Sequence, residues 1–307
     1  MKLAIIGDFH IRQTRPRYRT EEDFLEVCMG KLRQVQQIAE DNGCFAILQP
    51  GDLFDSPTPG HLALRRFIEV RPEPSKIPFL TIHGQHDLSY HSEKSAKHAA
   101  TAPLEAAIAL DIVDGQGYTL PKHIKIVGAD FGQAPPPAHE FIYNILLTHA
   151  PVGDRPLWPG HELTSPEAYV RKHPGYDLYV LGDYHYPFTV KVGEATLINA
   201  GCVVRQSADE RTLRHRPKVV VFNTDDSSTK DIYLDAAPVE KAFDLSRKEA
   251  DKPAEGPDFE EFVAELRKGG KVGVDFGDNL MALFEQRGVP QRIRDYVLMA
   301  LNEKGEG

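Results

Sequence analysis

The chain has 307 residues, 41% of them hydrophobic and 26% charged, the balance of a soluble globular protein large enough to bury a core without staples. A net charge of −9 argues against a broad basic surface and strong non-specific nucleic-acid binding, although bound divalent ions can supply positive charge locally. Cys28, Cys44 and Cys202 are odd in number and widely spaced, which excludes a disulfide framework and a zinc ribbon. They read as buried thiols of a reducing, cytoplasmic compartment, in keeping with the lack of a signal peptide or of a run near the roughly 18 apolar residues of a membrane span.

Residues 2–7 predict a buried strand. Residues 21–41 place Phe24, Leu25, Cys28, Leu32, Val35, Ile38 and Ala39 at helical spacing, with Thr20 as the expected cap and Asn42-Gly43 as the stop. A strand at 44–49, a helix at 60–70, a strand at 78–83 and a helix-rich stretch at 93–110 follow. From there β-structure dominates, at 117–120, 123–128, 141–148, 177–182, 187–193, 195–200, 217–224 and 230–234. The pattern predicts an α/β fold, a layered β-sandwich of two packed sheets flanked by helices. Pro135-Pro136-Pro137 is a rigid loop element, and residues 151–166, with four prolines and two glycines, are a surface loop. The expected domains are 1–244, a charged Pro/Gly-bearing linker at 245–257, and a small C-terminal helical appendage at 258–307. That appendage carries apolar faces (Phe259, Phe262, Val263 and Leu266; Leu280, Leu283 and Phe284; Ile293, Tyr296, Val297, Ala300 and Leu301) suited to a partner groove or to packing on the catalytic domain.

Five stretches put metal-ligand residues just after, or at the end of, strand-like runs: Asp8 and His10, Asp52, Gln85 and His86, His149, and Asp183 and His185. In open α/β sheets functional groups gather beyond the carboxyl ends of strands, so the five point to one centre built from distant loops. A mixed oxygen and nitrogen donor set suits Mn²⁺, Fe²⁺ or Zn²⁺ better than a thiolate or all-oxygen site would. Two such ions can clamp the attacking and leaving oxygens of a phosphoryl displacement.

The ordered set Asp8-Phe9-His10, Gly51-Asp52-Leu53-Phe54-Asp55, Gly84-Gln85-His86-Asp87, His149 and Gly182-Asp183-Tyr184-His185 resembles the signature of the calcineurin-like metallophosphoesterase superfamily, over roughly residues 1–205. Within it, GDLFDSPTP and Ala200–Glu210 are most similar to SbcD-type DNA repair nuclease subunits. The resemblance implies two divalent ions, Mn²⁺ first, with Mg²⁺, Fe²⁺ or Zn²⁺ as alternatives. Asp8, His10, Asp52 and His185 would hold one, and Asp52, Gln85, His149 and Asp183 the other. His86 would orient the phosphate and protonate the leaving oxygen, with Asp87 fixing its tautomer, while a metal-bridging hydroxide attacks phosphorus. It also implies DNA as substrate, an SbcC-type coiled-coil ATPase bound through the C-terminal helices, a possible homodimer, and no membrane.

The family has Asn where this chain has Gln85 and His where it has Asp183; both departures fall on the second ion. They either compensate each other or leave that ion weakly held. Arg12, Arg15, Arg17 and Arg19 crowd the loop after His10 and read as a phosphate rail or a solvated loop, with Arg205 a further substrate contact or a structural ion pair. Asp55 reads as a residue that orients neighbouring ligands. The leading expectation is a Mn²⁺-dependent DNA exonuclease and endonuclease subunit of a repair or recombination complex. A small-molecule phosphodiesterase or nucleotidase, and a metal-depleted interaction scaffold, are the alternatives.

Overall fold

The structure is a computed structural model and describes residues 1–71, 77–156 and 163–250. In chain order these form β1 (Lys2–Ile5), α1 (Phe24–Asp41), β2 (Cys44–Gln49), α2 (His61–Val70), β3 (Phe79–Thr81), two 3-10 turns (Ser89–His91 and Glu93–His98), α3 (Thr101–Ala106) and β4 (Asp111–Ile112). There follow β5 (Tyr118–Leu120), β6 (Ile124–Ala129), β7 (Tyr143–Ala150), α4 (Pro166–Lys172), β8 (Leu178–Asp183), β9 (Phe188–Val192) and β10 (Ala195–Asn199). The last are α5 (Glu210–Arg214), β11 (Lys218–Asn223), β12 (Ser228–Tyr233), α6 (Val239–Ala242) and α7 (Leu245–Ala250).

Two six-stranded sheets result, ordered β12-β11-β1-β2-β3-β4 and β5-β6-β7-β8-β10-β9. Each has a parallel centre, β1 to β4 in one and β6, β7, β8 and β10 in the other, with antiparallel strands outside it. Side chains alternate across each strand, so one sheet face buries against its fellow and the other against helices. Leu3, Ile5, Leu48 and Leu80 meet Ile126, Leu147 and Val180 between the sheets. Ala4, Ile6, Ile47 and Phe79 face the other way, onto Phe24, Leu32 and Val35 of α1 and Phe67 of α2. Tyr169 of α4 covers Leu146, Tyr179 and Leu181 on the far face of the second sheet. Each fully buried side chain of this kind contributes about 1.5–3 kcal/mol. The expected layered sandwich flanked by helices is what forms.

Several boundaries differ. α1 begins at Phe24, because Asp23, not Thr20, accepts from Glu26 N at 2.9 Å, and Thr20 Oγ1 instead donates to the Lys241 carbonyl. Its end matches the expectation, with Asn42 as cap and Gly43 at φ +64°. Residues 245–250, expected within the linker, form α7, and Met1–Ala250 make one compact unit. The remainder of the linker, the helical appendage and part of the 151–166 loop lie outside the described residues.

Candidate metal centre

The parallel centres of both sheets deliver their carboxyl ends to one place. Asp8 follows β1, Asp52 follows β2, Gln85 and His86 follow β3, His149 lies near the end of β7, and Asp183 ends β8. In the register of β7 and β8, His149 sits opposite Gly182 and Ala150 opposite Asp183.

Backbone hydrogen bonds tie these loops together. Phe9 N and His10 N both donate to the Asp52 carbonyl, at 3.0 and 2.9 Å, and Ile11 N donates to Leu53 O at 2.9 Å. His86 N donates to Asp52 Oδ1 at 2.8 Å, and Asp183 N to Asp8 Oδ2 at 3.1 Å. Val203 N donates to the Asp8 carbonyl at 2.9 Å, which draws the 200–206 segment onto the first loop. Close approach explains the glycine beside two ligands. A Cβ at Gly182 would stand 2.6 Å from His149 Nδ1, and one at Gly84 would overlap the Asp52 carboxylate. Three of the expected ligands, His10, Asp52 and Asp183, themselves hold left-handed backbone, at φ 52°, 51° and 74°. Non-glycine residues resist that conformation, and it concentrates at functional sites.

The donors form two adjoining groups, Asp8, His10 and His185, and Asp8, Asp52 and His149, and a third, His10, Asp55 and His86, borders the first; within each group the ligand atoms lie within 4.8 Å of one another. His185 Nε2 is 3.2 Å from Asp8 Oδ2 and 3.2 Å from His10 Nε2. Asp52 Oδ2 lies between the groups, 3.7 Å from His10 Nε2 and 3.4 Å from His149 Nε2, and Asp183 Oδ1 is 3.9 Å from the same His149 nitrogen. His149 Nδ1 must carry a proton, since it meets the Pro50 carbonyl at 2.7 Å, which leaves Nε2 for the centre. Gln85 sits half-buried beside His86 on the β3 loop.

Divalent ions fit this arrangement. Asp52 Oδ2, His149 Nε2 and His10 Nδ1 are buried without a hydrogen-bond partner, a costly state that a bound cation would relieve. The electrostatics agree. Burial disfavours charge on His149, but Asp52, then Asp8 and Asp183, outweigh it and raise its pKa to about 10. Burial also opposes the ionised form of Asp52, yet His149 and His10 hold its carboxyl well below the usual range. Without metal, a proton on His149 supplies the positive charge that the carboxylates demand. Asp183 is raised, by burial first and by Asp8 and Asp52 next.

His86 borders the donors, in the group with His10 and Asp55. Its ring centroid is 4.9 Å from that of His10, edge to face, and its Nδ1 donates to the Asp55 carbonyl at 3.3 Å. Asp87 does not hold the His86 ring as expected. Its carboxylate is buried and accepts from Leu53 N, Phe54 N and Gly84 N at 3.2, 3.0 and 2.9 Å, which pins the β2 and β3 loops to each other. Burial and the Asp52 charge push that carboxyl up to about 6, against the donation from Phe54 N and Gly84 N. The residue beside His86 is Asp55, which lies 3.8 Å from His10 Nδ1 and pairs with Arg12 at 2.8 Å.

The arginines divide. Arg12 reaches the site through Asp55. Arg15 is exposed but spends its guanidinium on the Thr20 and Glu21 carbonyls, at 3.0 and 3.1 Å, and Arg17 lies 5.4 Å from the Tyr18 ring. Arg19 and Arg205 are not brought to a rail. Arg19 is buried, bonded to Glu21 at 2.9 Å and to the Arg205 carbonyl at 2.8 Å. Arg205 is buried too, donates to Ala237 O, and stacks with Arg19 on Phe243. They clamp α6 to the first loop.

A cavity of about 190 Å³ opens beside the donors, walled by His10, His86 and His185 and by Tyr186, Gln206 and His215. Sequence reasoning passed over the last three. Gln206 donates to the His10 carbonyl at 3.0 Å, and His215 to the Cys202 carbonyl at 2.6 Å. Gln206 lies in the Ala200–Glu210 segment, whereas only proximity in space marks Tyr186 and His215, because no local pattern surrounds them. Cys202 adjoins His185, and burial raises its thiol pKa, so it stays protonated.

Comparison with known proteins agrees with the geometry. A family model described as calcineurin-like phosphoesterase matches residues 1–187. Comparison with curated proteins gives no match. Among solved structures, one described as a novel archaeal phosphodiesterase is 16% identical, with a TM-score of 0.42, covering 76% of this chain and 100% of its own. The protein TT1561 of Thermus thermophilus is 14% identical, with a TM-score of 0.47, covering 75% and 98%. The hypothetical protein PH1004 from Pyrococcus horikoshii is 12% identical, with a TM-score of 0.42, covering 81% and 91%.

Proposed function

The chain belongs to the calcineurin-like phosphoesterase family, and from that premise we propose that it hydrolyses phosphodiesters of DNA with Mn²⁺, as the nuclease subunit of a repair or recombination complex. The observation that carries the reading is the pair of donor groups joined through Asp8 and Asp52, with His86 bordering them. Asp8, His10, Asp52 and His185 would hold one ion, and Asp52, Gln85, His149 and Asp183 the other. When bound, the ions neutralise and polarise the phosphodiester and activate the water that attacks it.

The chain's own residues do the rest. The Asp55 carbonyl holds the proton on His86 Nδ1, which leaves Nε2 to meet the leaving 3′-oxygen and, as imidazolium, to give it a proton. Arg12 fixes the Asp55 side chain and brings a cation to the mouth of the centre. Asp87 keeps the β2 and β3 loops in register, so His86 and Asp52 move together. Truncation after Ala250 is expected to spare hydrolysis and to abolish binding of an SbcC-type coiled-coil ATPase.

The deciding experiment offers the purified protein a labelled DNA and a cyclic nucleotide, each with Mn²⁺ and with chelator. Mn²⁺-dependent shortening of the DNA supports the proposal. Turnover of the cyclic nucleotide alone favours the small-molecule reading, which the modest size of the cavity, about 190 Å³, supports. A protein that binds no divalent ion would make it a scaffold, against the unpartnered donor atoms of the centre.

A further inference from the structure

The cavity beside the metal donors continues into a second cleft. Tyr186 and His215 belong to the walls of both. The second cleft measures about 380 Å³ and is lined by Tyr186, Tyr233, Arg211, Arg214, Arg216 and Lys218. Four cations on eight consecutive residues stand out in a chain whose net charge is −9.

Two of the four are already paired, Arg214 with Glu210 at 2.6 Å and Lys218 with Asp231 at 2.7 Å. Among the described residues no carboxylate pairs with Arg211 or Arg216. Each lies instead on an aromatic ring, Arg211 at 5.2 Å from the Tyr186 centroid and Arg216 at 4.0 Å from that of Tyr233. A guanidinium held flat on a ring keeps its edge open to an acceptor, so stacking and anion binding are compatible. Both arginines are exposed, and Tyr233, with Arg216 over its ring, is still 47% exposed, which leaves part of its surface open to a partner.

Guanidiniums without carboxylates suit phosphates, and exposed tyrosines suit bases. Bases in a duplex are stacked inside the helix, so only an unpaired strand can present them to Tyr233. A small phosphodiester would sit in the metal cavity and have no use for the cleft. We infer that the cleft holds an unpaired polynucleotide strand leaving the metal centre, with phosphates on Arg211 and Arg216 and a base against Tyr233. The inference rests on the phosphodiesterase reading for the bond that is cut. It moves the phosphate rail from the 12–19 loop to residues 211–218.

Fluorescence anisotropy with a labelled oligothymidylate, full-length protein and chelator isolates binding from cleavage. Arg211→Glu with Arg216→Glu should weaken binding at least about tenfold and flatten the salt dependence by about 1.4 in log–log slope, two single-strand contacts' worth. Tyr233→Ala should weaken binding by about tenfold and leave that slope alone. Arg211→Lys with Arg216→Lys should keep the slope. An unchanged affinity and slope in the glutamate variant overturns the inference, as does an absence of binding by the wild type. Wild-type hydrolysis of bis(p-nitrophenyl) phosphate with Mn²⁺ is read in parallel. Failure there, with charge-sensitive strand binding intact, would sink the phosphodiesterase reading and leave the cleft assignment standing.

Discussion

Two buried imidazoles of the metal centre, His10 and His149, lie on either side of Asp52 and are set to opposite states. On the side facing the cavity, burial lowers the pKa of His10 to about 4; Asp52 opposes this, while His185 and His86 add to it. On the interior side, Asp52, Asp8 and Asp183 overcome burial and raise His149 to about 10. At neutral pH His10 is a neutral donor ready for an ion, whereas His149 holds a proton that an ion must displace. Neighbours decide the difference, since both imidazoles are buried.

Asp52 touches both sides, so its loss should be the largest effect. Asp52→Asn is expected to cut hydrolysis by about a thousandfold or more, with the bound-metal content falling in parallel. A loss near tenfold would mean that Asp8 alone joins the two groups. His86→Ala comes next, at about a hundredfold in kcat, with metal content unchanged, measured by turnover alongside elemental analysis. Loss of metal in that variant would make His86 part of the donor set.

The third test targets the protonation contrast itself. The protonated form of His149 prevails below about pH 10 and cannot bind metal. Metal affinity should therefore rise with pH, about tenfold per unit at most, and level off near pH 10, with proton release seen by calorimetry in buffers of different ionisation enthalpy. Had His149 been lowered like His10, only His185, which burial lowers but Cys202 and Asp8 raise on balance, would give up a proton on binding, and a flat profile across the neutral range breaks the comparison. The smallest effect concerns the two departures from the family pattern. Gln85→Asn and Asp183→His should each weaken the second ion by up to about tenfold, and the double variant should recover it, as titration with Mn²⁺ would show. Independent gains from the two changes would mean that Gln85 and Asp183 do not compensate.

The strands and most ligands were legible because an apolar run followed by Asp or His is a local pattern, and parallel strands must bring their ends together. Direction was not legible. Arg15 and Arg19 share a loop with Arg12, yet only Arg12 turns to the centre, while Arg19 packs under α6 on Phe243. Asp87 adjoins His86 in sequence, but its carboxylate faces the backbone of the β2 loop. Tyr186 and His215 reach the site through tertiary contacts that leave no periodic trace. The cleft of residues 211–218 needed Tyr186 and Tyr233, brought close only by the fold.

The left-handed backbone at His10, Asp52 and Asp183 bears on how this protein can tolerate heat. Each position costs on the order of 1 kcal/mol that a glycine would recover. Asp183→Gly should therefore raise the melting temperature of the metal-free protein while emptying one donor position. Selection for durability and selection for turnover thus act on the same residues with opposite sign. A thermally hardened relative of this chain would be expected to find its gains elsewhere, in the helix layers or the sheet edges, and to leave these three turns alone.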